Sequence, residues 1–346
     1  MNLELVKKIA DAVLYEGYLL YPYRASAVKN RQRFNWGVLA PQSYSEAQRG
    51  TENWQMQTEV LVAGNDRTTV DLKLRFLHLR EREVYEVDEA TSELQPVGFL
   101  EVNGQIFQTW QEAVEREADV FSLNLHELNG KPQRIGFSFA AGHEIESLCD
   151  AAEKTVGGII RKQEVIDSEI EVQSSRLEVQ SPDDIFKLTV RVSNRTRFEN
   201  AERKSRDEAL AHSLVSAHTV IAAAGGEFIS LLEPSEAFAE AVAACQNIAT
   251  YPILVGTEGA RDCMLSSPII LYDYPQIAPE SPGDLFDGAE IDEILTLRIL
   301  TMTDEEKREM LSVDERARAI LERSENLSPE QFMKMHGVLR EPRTLG

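Results

Sequence analysis

Val70, Leu72, Leu74 and Phe76 alternate with Asp71, Lys73 and Arg75, and this period-two pattern leaves few folds open to the chain. A helix would scatter those apolar groups around its circumference, whereas an extended strand gathers them on one face. The same alternation recurs over residues 120–125, 135–139, 166–172, 177–179 and 186–192. Turn-forming residues separate the runs, among them Asn129-Gly130 and Ser181-Pro182-Asp183-Asp184. Successive strands with one polar face pair as antiparallel sheets, so a sandwich or barrel-like core is predicted for the first part of the chain.

Helical spacing appears at both ends. Leu5, Ile9, Ala12 and Val13 predict an amphipathic helix over about 3–16. Ser205-x-x-Glu208 has the form of a capping box and predicts a helix running to about Ala224, stopped by Gly225-Gly226. Further helices are expected over about 235–246, from Thr303-x-x-Glu306, and from Ser328-Pro329. The predicted class is therefore α+β, an antiparallel β-rich N-terminal part (1–204) followed by a helical C-terminal part (205–346), as two domains or one. A short strand is also expected over Tyr251 to Val255, between Cys245 and Cys263.

A hydrophobic content of 42% gives ample material for a core, and the formal net charge is −22. That charge opposes general nucleic-acid binding and docking on anionic lipid, both of which need a basic surface. Cys149, Cys245 and Cys263 are widely spaced and form no CxxC, so neither a disulfide framework nor a thiolate zinc site is expected. Glu4, Asp11 and Glu16 interrupt the N-terminal run where a signal peptide needs apolar residues, and no segment approaches the roughly 18 apolar residues of a membrane span. A cytoplasmic protein is the expectation.

Charge is distributed unevenly. Residues 262–297 contain no lysine or arginine and carry Asp262, Asp273, Glu280, Asp284, Asp287, Glu290, Asp292 and Glu293 among prolines and large apolar groups. Acidic tails that stay unfolded lack such apolar groups, so an ordered loop is expected here. Residues 17–45 contain no acid and carry Arg24, Lys29, Arg31 and Arg33 interleaved with aromatics that include Trp36. Arginine forks and aromatic faces suit recognition of an acidic or phosphorylated partner. Equally, the two segments could neutralise each other within the chain. The residues singled out for binding are Arg24, Lys29, Arg31, Arg33, Trp36, Tyr272, Asp273 and Tyr274.

Catalytic patterns are faint. Gly136-Phe137-Ser138-Phe139-Ala140 resembles a nucleophile elbow, with Ser138 as the serine, but the second glycine is replaced by alanine. The elbow also needs a strand-to-helix turn on a parallel sheet, while the surrounding alternation predicts antiparallel strands. Asp284, Asp287 and Glu290 could offer oxygens to calcium or magnesium, yet their spacing is not that of an EF-hand. Acids there also suit a helix start. The six histidines form no HxxxH or HExxH pair, and no glycine-rich phosphate loop is present. Cys245 and Cys263 read as small buried hydrophobes. No cofactor is expected.

Three longer stretches are distinctive: ADAVLYEGYLLYPYRASAVKNRQRFNWGVL (10–39), HSLVSAHTVIAAAGGEFISLLEP (212–234) and RDCMLSSPIILYDYPQIAPESPGDLFDGAEIDEILTLRILTMTDEEK (261–307). With their spacing, they resemble a family of bacterial proteins encoded within uptake nickel–iron hydrogenase gene clusters. The resemblance covers nearly the whole chain but brings no catalytic motif. It implies a cytoplasmic accessory or assembly role exercised by binding a hydrogenase subunit or maturation factor, without catalysis. A hydrolase using Ser138 or a metal on the acidic loop is the alternative, and a structural subunit of a larger assembly is a third.

Overall fold

The computed structural model describes residues 3–15, 36–88, 90–179, 181–276, 299–311, 318, 321–322 and 324–326. Its strands, in chain order, are β1 (Gln55–Gly64), β2 (Thr69–Val87), β3 (Leu94–Val97), β4 (Phe99–Val102), β5 (Gln105–Gln108), β6 (Trp110–Asn124), β7 (Gln133–Phe139) and β8 (Gly142–Cys149). They continue as β9 (Thr155–Gln163), β10 (Ile166–Leu177), β11 (Asp184–Asn194), β12 (Val215–Ala224), β13 (Glu227–Ile229), β14 (Tyr251–Leu254) and β15 (Cys263–Ser267). Helices are α1 (Leu3–Leu14), α2 (Gln42–Ala47), α3 (Arg206–Leu210), α4 (Ala239–Ala243) and α5 (Asp304–Leu311).

Two antiparallel sheets face each other. The first has the order β13-β1-β11-β10-β7, and the second β14-β15-β12-β2-β9-β8, with β6 and β3 pairing the other edge of β2. Alternation aims one set of side chains from each sheet inward: Val60 and Val62 of β1, Phe186, Leu188, Val190 and Val192 of β11, and Leu72, Leu74 and Phe76 of β2. These form the main core, and Phe76 meets Phe139 edge-on across it with centroids 5.1 Å apart. The outer face of the second sheet is roofed by α1, whose Val6, Ile9, Ala10 and Val13 pack on Ile253, Val255, Cys263 and Leu265.

β2 outruns this sandwich. At roughly 3.3 Å per residue its 19 residues span about 60 Å. Its first half pairs β12 and its second half β9. Over that second half folds the β4–β5 hairpin, turned by Asn103-Gly104 with both residues at positive φ, as a tight hairpin requires. A smaller core of Val84, Val102, Leu148 and Ile159 lies beneath it.

The predicted α+β class is corrected: among the described residues strand makes up 48% and helix 17%, and those after residue 204 do not form a helical unit. The capping box at Ser205 is real, with both reciprocal hydrogen bonds formed, but its helix α3 ends after five residues. Residues 215–224, expected to be helical, form β12 and pair β2 and β15. Burial explains the misreading. Because α1 covers one face of β12 and the main core the other, Val215–Thr219 is buried continuously and the strand carries no charged, exposed face. The runs at 236–243 and 304–311 are helical as expected. Thr303 and Glu306 form a second capping box. The helix expected from Ser328 lies outside the described residues. Strands from both sides of residue 204 share both sheets.

Two glycines separate close packing from mere composition. A Cβ on Gly157 would collide with the Leu100 side chain and the Tyr85 carbonyl oxygen, whereas one on Gly136 would meet open space. Gly157→Ala is expected to lower stability by about 1–3 kcal/mol in chemical denaturation, as overpacking against backbone does. Gly136→Ala should leave it unchanged or raise it slightly.

Candidate functional site

Beside β12, on the side away from β2, two chain segments meet end to end. Trp36 and Gly37 accept backbone hydrogen bonds from Ser216 (3.2 Å) and Ala217 (2.9 Å), and Leu39 forms a bridge with Leu214. Asn194, fully buried, fixes this bridge by donating from Nδ2 to the carbonyls of Leu39 and His212, 2.8 Å each. Further along the same edge lies β15, which runs on into Pro268. Gly37 sits at φ +57 with its missing Cβ directed at Pro268. The acid-free and base-free segments therefore touch at Gly37 and Pro268. Arg24, Lys29, Arg31 and Arg33 lie outside the described residues, as do Asp284, Asp287 and Glu290, so the charge pairing expected between the segments lies outside them too.

After Pro268 the chain keeps the in–out rhythm of a strand. Ile269 and Leu271 pack on the cluster beneath α1, while Ile270 is 76% exposed and Tyr272 82%. The next two residues anchor the segment. Asp273 accepts from the Leu254 amide through Oδ1 (2.8 Å) and from the Ser230 hydroxyl through Oδ2 (2.6 Å). Tyr274 donates its amide to the Leu254 carbonyl (2.8 Å) and its hydroxyl to the Ala260 carbonyl (2.9 Å). Burial, then the neighbouring Asp273 carboxylate, raises the Tyr274 phenol above its usual range, so it stays a neutral donor. Of the residues singled out for binding, Asp273 and Tyr274 thus hold the fold, closing the outer edge of β14. Tyr272 is presented to solvent, and Trp36 is half exposed. The arrangement offers apolar and aromatic contact on a fixed base.

Ser138 lies within β7, opposite Asp167 of β10, on the exposed face of an antiparallel edge strand. That position lacks the strand-to-helix turn that an elbow requires. Among the described residues, no group of three or more His, Cys, Asp or Glu could hold a metal ion. Cys245 packs on the outer face of the first sheet and Cys263 on that of the second, so both sheets separate them. Burial pushes their thiols up to about 11 and about 12.

Buried charge escaped the sequence reading. Arg75, 3% exposed, faces α1 and pairs with Asp11 (2.7 Å), Glu117 (3.0 Å) and Glu115 (3.4 Å). Further along β2, Arg80, Arg82 and Arg161 converge on Glu112 at 2.6, 3.1 and 3.4 Å. The available signal was the amphipathic α1, which needs a sheet face to cover and so buries residues such as Arg75. His218 and His78 are also fully buried.

No protein-family model matches this sequence, and none of the curated proteins compared with it matches either. Among the described residues, no helix is long and apolar enough to cross a membrane.

Two outcomes follow. Asp273→Ala strands a buried amide and a hydroxyl and should cost about 1–3 kcal/mol, while Tyr272→Ala should change stability by no more than about 0.5 kcal/mol. Denaturant titration of both variants checks this. Burial, then the nearby Arg75, opposed by the Ser216 carbonyl, holds His218 at about 4. Burial, then Arg116 and His212, opposed by the Glu164 carbonyl, holds His78 at about 4. Since the folded values lie below the ordinary 6.5, the unfolded chain takes up protons first as pH falls. This stabilisation is complete above pH 6.5 and is lost as pH drops towards 4, by up to about 3 kcal/mol per histidine. His218→Asn and His78→Asn should flatten stability between those limits, and an unchanged slope would refute the assignment.

Proposed function

We propose that this protein is a cytoplasmic accessory or assembly factor for a nickel–iron hydrogenase, working by binding a hydrogenase subunit or maturation protein without chemistry of its own. The hydrogenase connection is supported by the sequence resemblance alone. The binding mode is supported by one observation: Ile270 and Tyr272 are held out to solvent on a segment whose alternate residues are half-buried and whose end is fastened by Asp273 and Tyr274. Apolar side chains fixed before contact lose little conformational freedom on binding, and tyrosine is favoured at the centres of interfaces. Half-exposed Trp36 enters the fold on the same edge of β12.

Affinity purification of tagged protein from a hydrogenase-expressing host is the test. Hydrogenase components should co-purify with the wild type, and Ile270→Asp with Tyr272→Asp should abolish capture while leaving the melting temperature unchanged. Absence of those components from the wild-type eluate, with normal hydrogenase activity in a deletion strain, would refute the proposal.

A further inference from the structure

We propose a second interaction surface, separate from the Tyr272 segment and independent of any hydrogenase connection. The free edge of β6 accepts an extended segment of a partner protein in which lysine or arginine alternates with apolar residues.

Among the described residues β6 is paired on one side only, by β2. Between Ala113 and Phe121 no backbone hydrogen bond leaves its other side among the described residues. Unpaired strand backbone of this length is a template for another strand, and natural edges are usually short, bulged or charged to prevent it. At this edge the charge is organised. Glu115, Glu117 and Asp119 project on one face and Val114, Arg116, Ala118 and Val120 on the other, where Arg116 is engaged by Gln163 and the Phe139 ring. In register, Glu117 lies opposite Arg75 and Asp119 opposite Lys73. Four carboxylates, Asp11, Glu115, Glu117 and Asp119, share these two cations. Lys7 of α1 adds a weaker positive influence at Glu117. Lys73 comes first among the charged partners that, against burial, keep the Glu117 carboxyl below its ordinary range. Four carboxylates around Lys73, Arg75 and the more distant Lys7 leave the cluster short of positive charge.

A strand laid along this edge places its residues about 5 Å from those of β6, alternately on the two faces. Basic side chains opposite Glu115, Glu117 and Asp119 supply the missing charge, and apolar ones opposite Val114, Ala118 and Val120 extend the inner face. A second copy of this chain does not fit. Antiparallel pairing about Glu117 would set Glu115 against Asp119 and Glu117 against itself.

The test uses the full chain and a fluorescein-labelled peptide of alternating lysine and valine long enough to span Ala113–Phe121, read by fluorescence anisotropy at low ionic strength. Binding is expected, with none for the glutamate–valine counterpart. N-methylation of alternate backbone nitrogens in the lysine peptide should weaken it at least about tenfold, since the backbone bonds are lost. Glu115→Gln and Asp119→Asn should each weaken it about two- to fivefold, the scale of exposed ion pairs. Equal binding of the methylated peptide would show charge attraction without strand addition and overturn the proposal. So would failure of the unmodified peptide to bind, and self-association of the doubly neutralised protein would then mark the acids as guards of the edge only.

Discussion

The hydrogen-bond ladder of β2 is the constraint on which the rest of the structure depends. One edge pairs β6 and then β3, and the other pairs β12 and then β9. Its inner face begins in the main core with Leu72, Leu74 and Phe76, passes through Arg80 and Arg82, and ends in the second core at Val84. Its outer face carries Lys73 and Arg75 under α1. A break in this strand would therefore separate two cores, whereas a break in the short β3 would leave both sheets in place.

The arginines explain how one strand serves both cores. Where the first sheet stops covering β2, apolar side chains would face water, and charged ones without partners would face partial burial. Glu112, itself mostly buried, settles this by accepting from Arg80, Arg82 and Arg161 together. Arg161 reaches on to Glu146 and Arg82 to the Gln108 carbonyl. Such a cluster adds little net stability over an apolar filling, because desolvation offsets the Coulomb gain. Removing its single central carboxylate would leave three cations facing one another. Its consequence is register: β6, β2 and β9 can contribute to one carboxylate only when correctly aligned.

Much of this was legible in the residues, and the exceptions share a cause. Strands with one polar face announced themselves, as β2, β7, β10 and β11 do. No charged face marks β12, because α1 turns an ordinary sheet face into a second interior, and Ala222–Ala224 then resembles helix. The same roof converts Arg75 from an apparent surface residue into a buried one. Capping boxes were read correctly at Ser205 and Thr303, but a cap specifies where a helix starts and not how far it runs. At the candidate site, composition singled out Tyr272, Asp273 and Tyr274 together. Only the hydrogen bonds of Asp273 and Tyr274 separate those two from the exposed tyrosine between Leu271 and Asp273.

That separation bears on how the surface could work. An exposed tyrosine on an unsupported loop must be ordered by whatever binds it, at a cost that offsets much of its contact energy. Here the ordering is built in: the packing of half-buried Ile269 and Leu271 and the twin acceptors of Asp273 fix the backbone on either side of Tyr272. Asp273 accepts from Leu254 of β14 and from Ser230 just beyond β13, so the segment bridges the two sheets. A partner that pulls on Tyr272 therefore pulls on the sandwich itself, and the contact is as rigid as the fold that carries it.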